Sequence, residues 1–168
     1  VTLSATRPYV LKPTGEDVYR NIVIRTSLPA DAFVAAVEFR TNGAPVHHPV
    51  IRSVRLGVSR RRDGEDGQSG FDGMGWQNAQ DPDGHFIGWA PGRGPIRSPE
   101  GMPWRLERGA DLVIELHMLP QKKAATVSPT IALYTTTTPP VRTPLTLKLS
   151  SKLIDIPAGA KDHAVTEN

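Results

Sequence analysis

The sequence predicts an all-β domain, an antiparallel jelly roll or β-sandwich of about eight strands with one long loop insertion. The 16 prolines and 15 glycines interrupt the 168 residues so often that no helix-period stretch of a dozen residues survives between them. Several short segments are rich in β-branched residues or alternate apolar with polar side chains, as strands do. Hydrophobic residues make up 38% of the chain and charged residues 22%, a composition that supports a folded core.

The predicted strands, in chain order, span residues 18–24, 33–40, 46–58, 111–118, 130–138 and 145–149. The clearest of them is 111–118, where Leu112, Ile114 and Leu116 share one face and the residues between them share the other. Pro49 interrupts the third strand, and a strand tolerates proline only at a bulge or an edge.

Two parts of the chain depart from this strand pattern. Residues 61–105 are dominated by Gly, Asp, Pro and Gln, with isolated aromatic residues that we expect to pack onto the sandwich. Beyond Pro139 and Pro140, the sequence has the character of a linker leading into a new strand. We therefore expect a first domain over residues 1–140 and, over 141–168, a linker with the first strand of a second, truncated domain.

Composition excludes several classes of function. The chain has 20 basic and 17 acidic residues, and its basic residues are too scattered for a nucleic-acid partner. No apolar run approaches the roughly 18 residues that a membrane span requires. Without cysteine, disulfides, thiolate catalysis and Cys-based metal sites are excluded. A metal would need nitrogen, oxygen or thioether ligands.

Histidine is the residue type that suggests a metal site. His47 and His48 are adjacent, but consecutive side chains leave opposite faces of a strand, so one ion can take both imidazoles only where the backbone is kinked or twisted. His117 ends the clearest predicted strand, and a sandwich can bring it next to the pair. Three imidazoles suit copper or zinc with an open position, whereas ordinary packed or solvent-facing histidines are the simpler interpretation.

The residues around this set have simpler interpretations. Glu115 shares the face of His117 and could orient a ligand, although a solvated strand carboxylate is the simpler interpretation. Met118 points to the opposite face and is expected in the core, while Met74 and Met102 are expected to fill gaps. The sequence assigns no role to His85 or His163.

Several motifs then resemble, in the same order, those of the copper type II, ascorbate-dependent monooxygenases, whose best-known member is peptidylglycine α-hydroxylating monooxygenase. They are Val-Glu-Phe-Arg at 37–40, Pro-Val-His-His at 45–48, Gly-Trp-Ala-Pro-Gly at 88–92, Pro-Glu-Gly-Met at 99–102, Arg-Gly-Ala at 108–110 and Asp-Leu-Val-Ile-Glu-Leu-His at 111–117. The resemblance extends from about residue 17 to the end. It is strongest to the cysteine-free bacterial relatives, which are often parts of periplasmic or secreted proteins.

The resemblance implies two jelly-roll domains, each holding one copper across a solvent-filled cleft. This chain resembles the first domain, in which His47, His48 and His117 would hold the electron-donating copper. A second copper domain would then bind dioxygen and hydroxylate a small-molecule or peptide-like substrate, with a reductant such as ascorbate. By this resemblance the chain alone would bind copper without being active.

Two departures from the family pattern stand out. The eukaryotic members carry disulfides in this domain, and Met118 and Leu119 occupy positions where relatives often have an aromatic residue and a further histidine.

Two alternatives to a copper domain remain. One is a zinc hydrolase or hydratase site, because three imidazoles and a water also suit zinc hydroxide chemistry. The other is a metal-free jelly-roll module that binds a partner or carbohydrate through Trp76, Trp89 and the long loop.

Overall fold

A computed structural model describes residues 1–13, 15–147, 150–151 and 154–166. Within them the chain forms twelve strands and two short 3-10 segments, Arg55–Arg61 and Pro82–Gly84. The strands are β1 Thr2–Ser4, β2 Tyr9–Leu11, β3 Val18–Arg25, β4 Ala32–Arg40, β5 Val46–Val54, β6 Phe71–Asp72, β7 Ile87–Gly88, β8 Ile96–Arg97, β9 Trp104–Leu106, β10 Asp111–Met118, β11 Ala125–Val127 and β12 Thr130–Thr136.

The strands form two five-stranded sheets and one two-stranded ribbon. One sheet has the order β1-β12-β4-β8, with β9 also paired to β4, and the other has the order β6-β3-β10-β5-β7. Strands β11 and β2 make the ribbon. Every pairing between these strands is antiparallel. The prediction of an all-β antiparallel sandwich is therefore confirmed.

The core lies between the inward faces of the two large sheets. Alternate residues of β10 supply one side of it, as the sequence pattern predicts: Leu112, Ile114 and Leu116 are fully buried. Ile131 and Leu133 of β12 belong to the same cluster on the opposite sheet. Burying a side chain of this size contributes about 1.5–3 kcal/mol. This packing fixes which face of β10 turns outward.

Two predicted strands are longer than the observed ones. The strand predicted over 46–58 ends at Val54, because the chain turns there into the 3-10 segment Arg55–Arg61. Gly57 takes a left-handed φ of 59° in that segment, which an extended strand does not allow. The strand predicted over 130–138 ends at Thr136.

The strand predicted over 145–149 is wrong for its described residues. Leu145, Thr146 and Leu147 have no strand partner, whereas Lys148 and Leu149 lie outside the described residues. Leu145 and Leu147 are largely exposed, so no apolar face holds the segment to a sheet. The domain boundary near residue 140 stays a prediction.

Much of the long segment between the 3-10 turn and β9 folds over the outer face of the β6-β3-β10-β5-β7 sheet. Phe71 is fully buried there in a small second cluster with Val23 and Val113, and Trp76 packs against this cluster. The buried guanidinium of Arg20 fastens the segment by pairing with Asp66. The expectation that loop aromatics pack onto the sandwich holds for these residues. Phe86 is the exception, because it is largely exposed.

The sequence contains no apolar run long enough to predict a membrane span. Among the described residues of the structure, no helix has both the length and the apolar character needed to cross a bilayer.

Candidate metal centre

The structure brings together the three histidines that the sequence singles out. The Nδ1 atom of His117 lies 3.1 Å from Nδ1 of His47 and 3.1 Å from Nε2 of His48. One ring nitrogen from each residue lies within 4.8 Å of the other two. The three side chains therefore form one group that could hold a metal ion.

A β-bulge explains how adjacent histidines reach the same place. In the pairing of β5 with β10, His48 stands opposite His117 while Val46 stands opposite Met118, so the register shifts between these two pairs. His47 is the extra residue on β5. A bulge residue is released from strict alternation, which allows its side chain to turn to the side of its neighbour. The irregular backbone expected from the sequence is therefore present, and it lies at His47.

Pro49 fits this strand without breaking the ladder to β10. Its carbonyl accepts a hydrogen bond from the backbone N–H of Trp89, which follows β7. The nitrogen and carbonyl of one strand residue point to the same side, so the missing N–H of Pro49 faces the β7 side as well. Strand β7 covers only Ile87–Gly88 and ends before this position. Pro49 therefore costs no hydrogen bond to β10, and β5 pairs with β10 in regular register from His48 to Val54.

Asp17, just before β3, contacts the opposite side of the His117 ring. Its Oδ2 atom lies 2.8 Å from Nε2 of His117. A carboxylate accepts hydrogen bonds, so Nε2 carries the proton in the neutral form of the ring, and that form presents a bare Nδ1 to the other two histidines. Carboxylate–histidine pairs orient metal ligands in this way and raise their basicity.

The contacts at Nδ1 of His117 fit a cation better than a proton. A neutral imidazole has one lone pair on this atom, yet ring nitrogens of both His47 and His48 lie at 3.1 Å from it. One lone pair accepts one good hydrogen bond, not two. Two nitrogens bound to one ion at about 2.0–2.1 Å stand roughly 2.8–3.4 Å apart for bond angles of 90° to 109°. The two separations measured from Nδ1 of His117 fall within that range.

The three-histidine group is packed against the protein on the side of His117 and open to solvent on the side of His47 and His48. His117 is 9% exposed, and the Tyr19 ring stacks on it with centroids 4.5 Å apart and planes 4° from parallel. His47 and His48 are exposed to solvent. Burial, followed by the neighbouring imidazoles of His117 and His47, lowers the pKa of His48. The lowered pKa favours the unprotonated His48 ring, which is the form that a metal ligand needs.

The other residues weighed from the sequence lie elsewhere or have other partners. Glu115 accepts hydrogen bonds from Arg52 and from the backbone N–H of Gly75. Neither the interpretation as a solvated carboxylate nor the one as a residue that orients a ligand describes it fully. Met118 is fully buried in the core, as expected. Met74 is 68% exposed, so the expectation that it fills a gap is wrong. Met102 is partly buried.

Sequence reasoning missed two residues of the centre. Asp17 and Tyr19 lie far from the histidines in the chain and reach His117 through the pairing of β3 with β10, which sets Tyr19 directly opposite His117. Their position at the start of the strand predicted over residues 18–24 is the feature of the sequence that could have pointed to them. His85 and His163 are not part of the histidine group.

Comparisons with family models, with curated proteins and with solved structures find no match for this chain. The three-histidine group therefore stands on the geometry of the described residues alone.

Replacing Asp17 with Asn is expected to weaken metal affinity about 10- to 100-fold, the usual cost of losing the partner of a ligating imidazole. The amide can turn its NH2 toward Nε2 and favour the other tautomer, which places a proton on the ligating nitrogen. Competition titration with a chelator measures the change. Asp155→Asn, at an exposed position outside the group, is the matched control. Equal affinities in the two variants would contradict the role given to Asp17.

Proposed function

We propose that this chain is a copper-binding domain that holds the electron-donating copper of a type II copper monooxygenase-like protein. The observation that carries the proposal is the convergence of three imidazole nitrogens from His47, His48 and His117. It is supported by the motif resemblance, which associates the same three residues with that copper.

The donor set supports copper among the metals that imidazole binds. The group contains no thiolate and no carboxylate ligand, so hard cations such as calcium, which prefer oxygen, are poor candidates. Imidazole suits copper, zinc, iron and nickel, and the general affinity order places copper above its neighbours, zinc included. A bound copper would supply one-electron chemistry through its Cu(I) and Cu(II) states.

The chain's own residues would prepare and hold the ligands. Asp17 keeps the proton on Nε2 of His117, which leaves Nδ1 free to bind. Tyr19 restrains the His117 ring by stacking on it. The bulge at His47 would let two adjacent residues hold one ion without a loop, and the exposure of His47 and His48 would leave a path for electrons and solvent.

The wider function follows from the resemblance and is proposed on that basis. A second copper domain of the parent protein would bind dioxygen and the substrate, and a reductant such as ascorbate would supply electrons. The substrate would be a small or peptide-like molecule hydroxylated at a C–H bond. The family's bacterial relatives support a periplasmic or secreted location.

Copper titration of the metal-free chain tests the proposal. We expect one site per chain, an electron paramagnetic resonance spectrum of nitrogen-bound Cu(II), and tight binding of Cu(I) in competition with a chelator. His48→Ala should abolish the stoichiometric site, because two imidazoles remain where three converge.

His163→Ala is the control, since His163 lies outside the group and is exposed. Copper stoichiometry that His48→Ala leaves unchanged, or a marked preference for zinc over copper in competition, would contradict the copper proposal.

A further inference from the structure

We propose that Met74 is a site of oxidative modification, whose thioether takes an oxygen atom from hydrogen peroxide and thereby spares the histidine group. The reaction forms one S–O bond and breaks the O–O bond of the peroxide, so the sulfur loses two electrons, methionine sulfoxide forms and water leaves. Reductases return methionine sulfoxide to methionine, which makes the change reversible. The oxidation needs only peroxide and an accessible sulfur, whereas the protective part rests on the proposed function.

Exposure separates Met74 from the other two methionines of the chain. Met74 is 68% exposed, Met102 is partly buried and Met118 is fully buried in the core. Methionine ordinarily fills irregular gaps among apolar side chains, and a side chain that stands largely in solvent does not do so. Packing therefore does not account for Met74, and its sulfur is accessible to an oxidant in solution.

The backbone on both sides of Met74 is fixed to the strands that carry the histidine group. Gly73 donates its N–H to the carbonyl of Tyr19 at 3.3 Å, and its own carbonyl accepts a hydrogen bond from a side-chain amide of β3 at 2.7 Å. Gly75 donates its N–H to the carboxylate of Glu115 at 2.8 Å. Both glycines have a positive φ, 113° and 69°, which other residues rarely adopt. Met74 is thus held between two anchored residues.

The strand register places Met74 beside the histidine group, on its β3 side. Tyr19 stands opposite His117 in the β3–β10 pairing, and Gly73, which continues β6, bonds to Tyr19 from the other edge of β3. Strand spacings of about 4.8 Å put the backbone of Gly73 roughly 10 Å from that of His117. The Nδ1 atom of His117 meets the histidines of β5, on the far side. Met74 is therefore a neighbour of the group, away from the converging nitrogens.

The proposed function supplies the oxidant. Dioxygen that takes up two electrons and two protons beside a solvent-open, reduced copper centre becomes hydrogen peroxide. His47 and His48 are exposed to the same solvent, and oxidation of a ligating imidazole would end metal binding. A nearby thioether that reacts in their place is restored from the sulfoxide, so the centre keeps its ligands.

Peroxide treatment of the metal-free chain, with a chelator present, tests the modification itself. Peptide mass spectrometry follows the gain of one oxygen at each methionine over time. We expect Met74 to react about tenfold faster than Met118 or more, because Met118 reacts only when the core opens, and Met102 to lie between them. Oxidation of Met102 or Met118 as fast as that of Met74 would overturn the proposal.

The same measurement in denaturant shows whether the fold sets this order. All three methionines should then react at similar rates, because each sulfur is in solvent. An order of reactivity that persists in the unfolded chain would come from the local sequence and would contradict the role given to the exposure of Met74.

Met74→Leu tests the protective part, because leucine keeps the apolar bulk and removes the sulfur. Copper-loaded protein is treated with peroxide, and the gain of oxygen is measured on the peptides that contain His47, His48 and His117. Oxidation of these histidines should be about twofold faster or more in the variant, since an acceptor of the oxidant is lost. Met102→Leu removes a sulfur elsewhere and should leave the rate unchanged.

Equal histidine oxidation in Met74→Leu and the unaltered chain would sink the protective part. Copper titration of Met74→Leu is run in parallel and should match that of the unaltered chain, and a weakened site would count against a place for Met74 outside the ligand set. A chain that binds no copper would refute the proposed function, whereas the metal-free measurement would still decide whether Met74 is the modified residue.

Discussion

Replacing His117 with Ala is expected to abolish the rise in the thermal unfolding midpoint that copper gives the unaltered chain. A ligand that binds only the folded state stabilises it by about 2.7 kcal/mol at one hundred times its Kd. For a domain of this size, that corresponds to a rise of roughly 5–10 °C. The variant retains two of the three imidazoles and loses the one that Asp17 and Tyr19 hold in place.

Thermal unfolding with and without copper, followed by circular dichroism, measures this difference. The metal-free variant should itself unfold at a lower temperature, because a buried, stacked and hydrogen-bonded ring is removed, so the copper-induced shift is the quantity to compare. His85→Ala, outside the group, should keep the full shift. A shift retained in His117→Ala would place the metal elsewhere.

Replacing Arg60 with Met is expected to destabilise the fold by about 3 kcal/mol, the low end of the cost of leaving a buried charge without its partner, since Asp111 is fully buried although the Arg60 side chain is 40% exposed. The carboxylate of Asp111 is fully buried at the start of β10 and receives hydrogen bonds from the Arg60 guanidinium and from the Ser59 hydroxyl. Removing the guanidinium leaves that charge with the hydroxyl alone, which limits the loss but does not prevent it. Denaturant unfolding measures the change.

Arg55→Met is the matched control in the same 3-10 segment. Arg55 pairs with Glu107, but its side chain is 71% exposed, and exposed ion pairs contribute about 0–1 kcal/mol. Equal destabilisation by the two substitutions would mean that the Asp111 pair matters no more than a surface contact.

The part of the fold that the sequence predicts well is the part that local pattern controls. Alternation along 111–118 identifies both the buried face of β10 and the outward position of His117, because side chains alternate strictly in a regular strand. The strand predicted over 46–58 extends past the observed start of the 3-10 segment at Arg55. That segment includes Gly57, and in it Arg60 pairs with Asp111, a distant contact that no local sequence pattern reveals.

The candidate site is predicted less completely, for a physical reason. The histidines are identifiable by residue type, but Asp17 reaches His117 from 100 residues away in the chain, and only the strand register brings the two together. The bulge at His47 is likewise a property of the pairing of two strands rather than of either strand alone. Pro49 signals an irregularity nearby without fixing its position.

The bulge at His47 also makes one member of the three-histidine group a residue that the sheet itself does not need. Without His47, β5 could pair with β10 in unbroken register, so the core would lose nothing while the group would keep only two imidazoles. Hydrophobic packing does not resist that deletion. The loss of a single residue would thus remove the capacity for a three-imidazole site while leaving the scaffold intact.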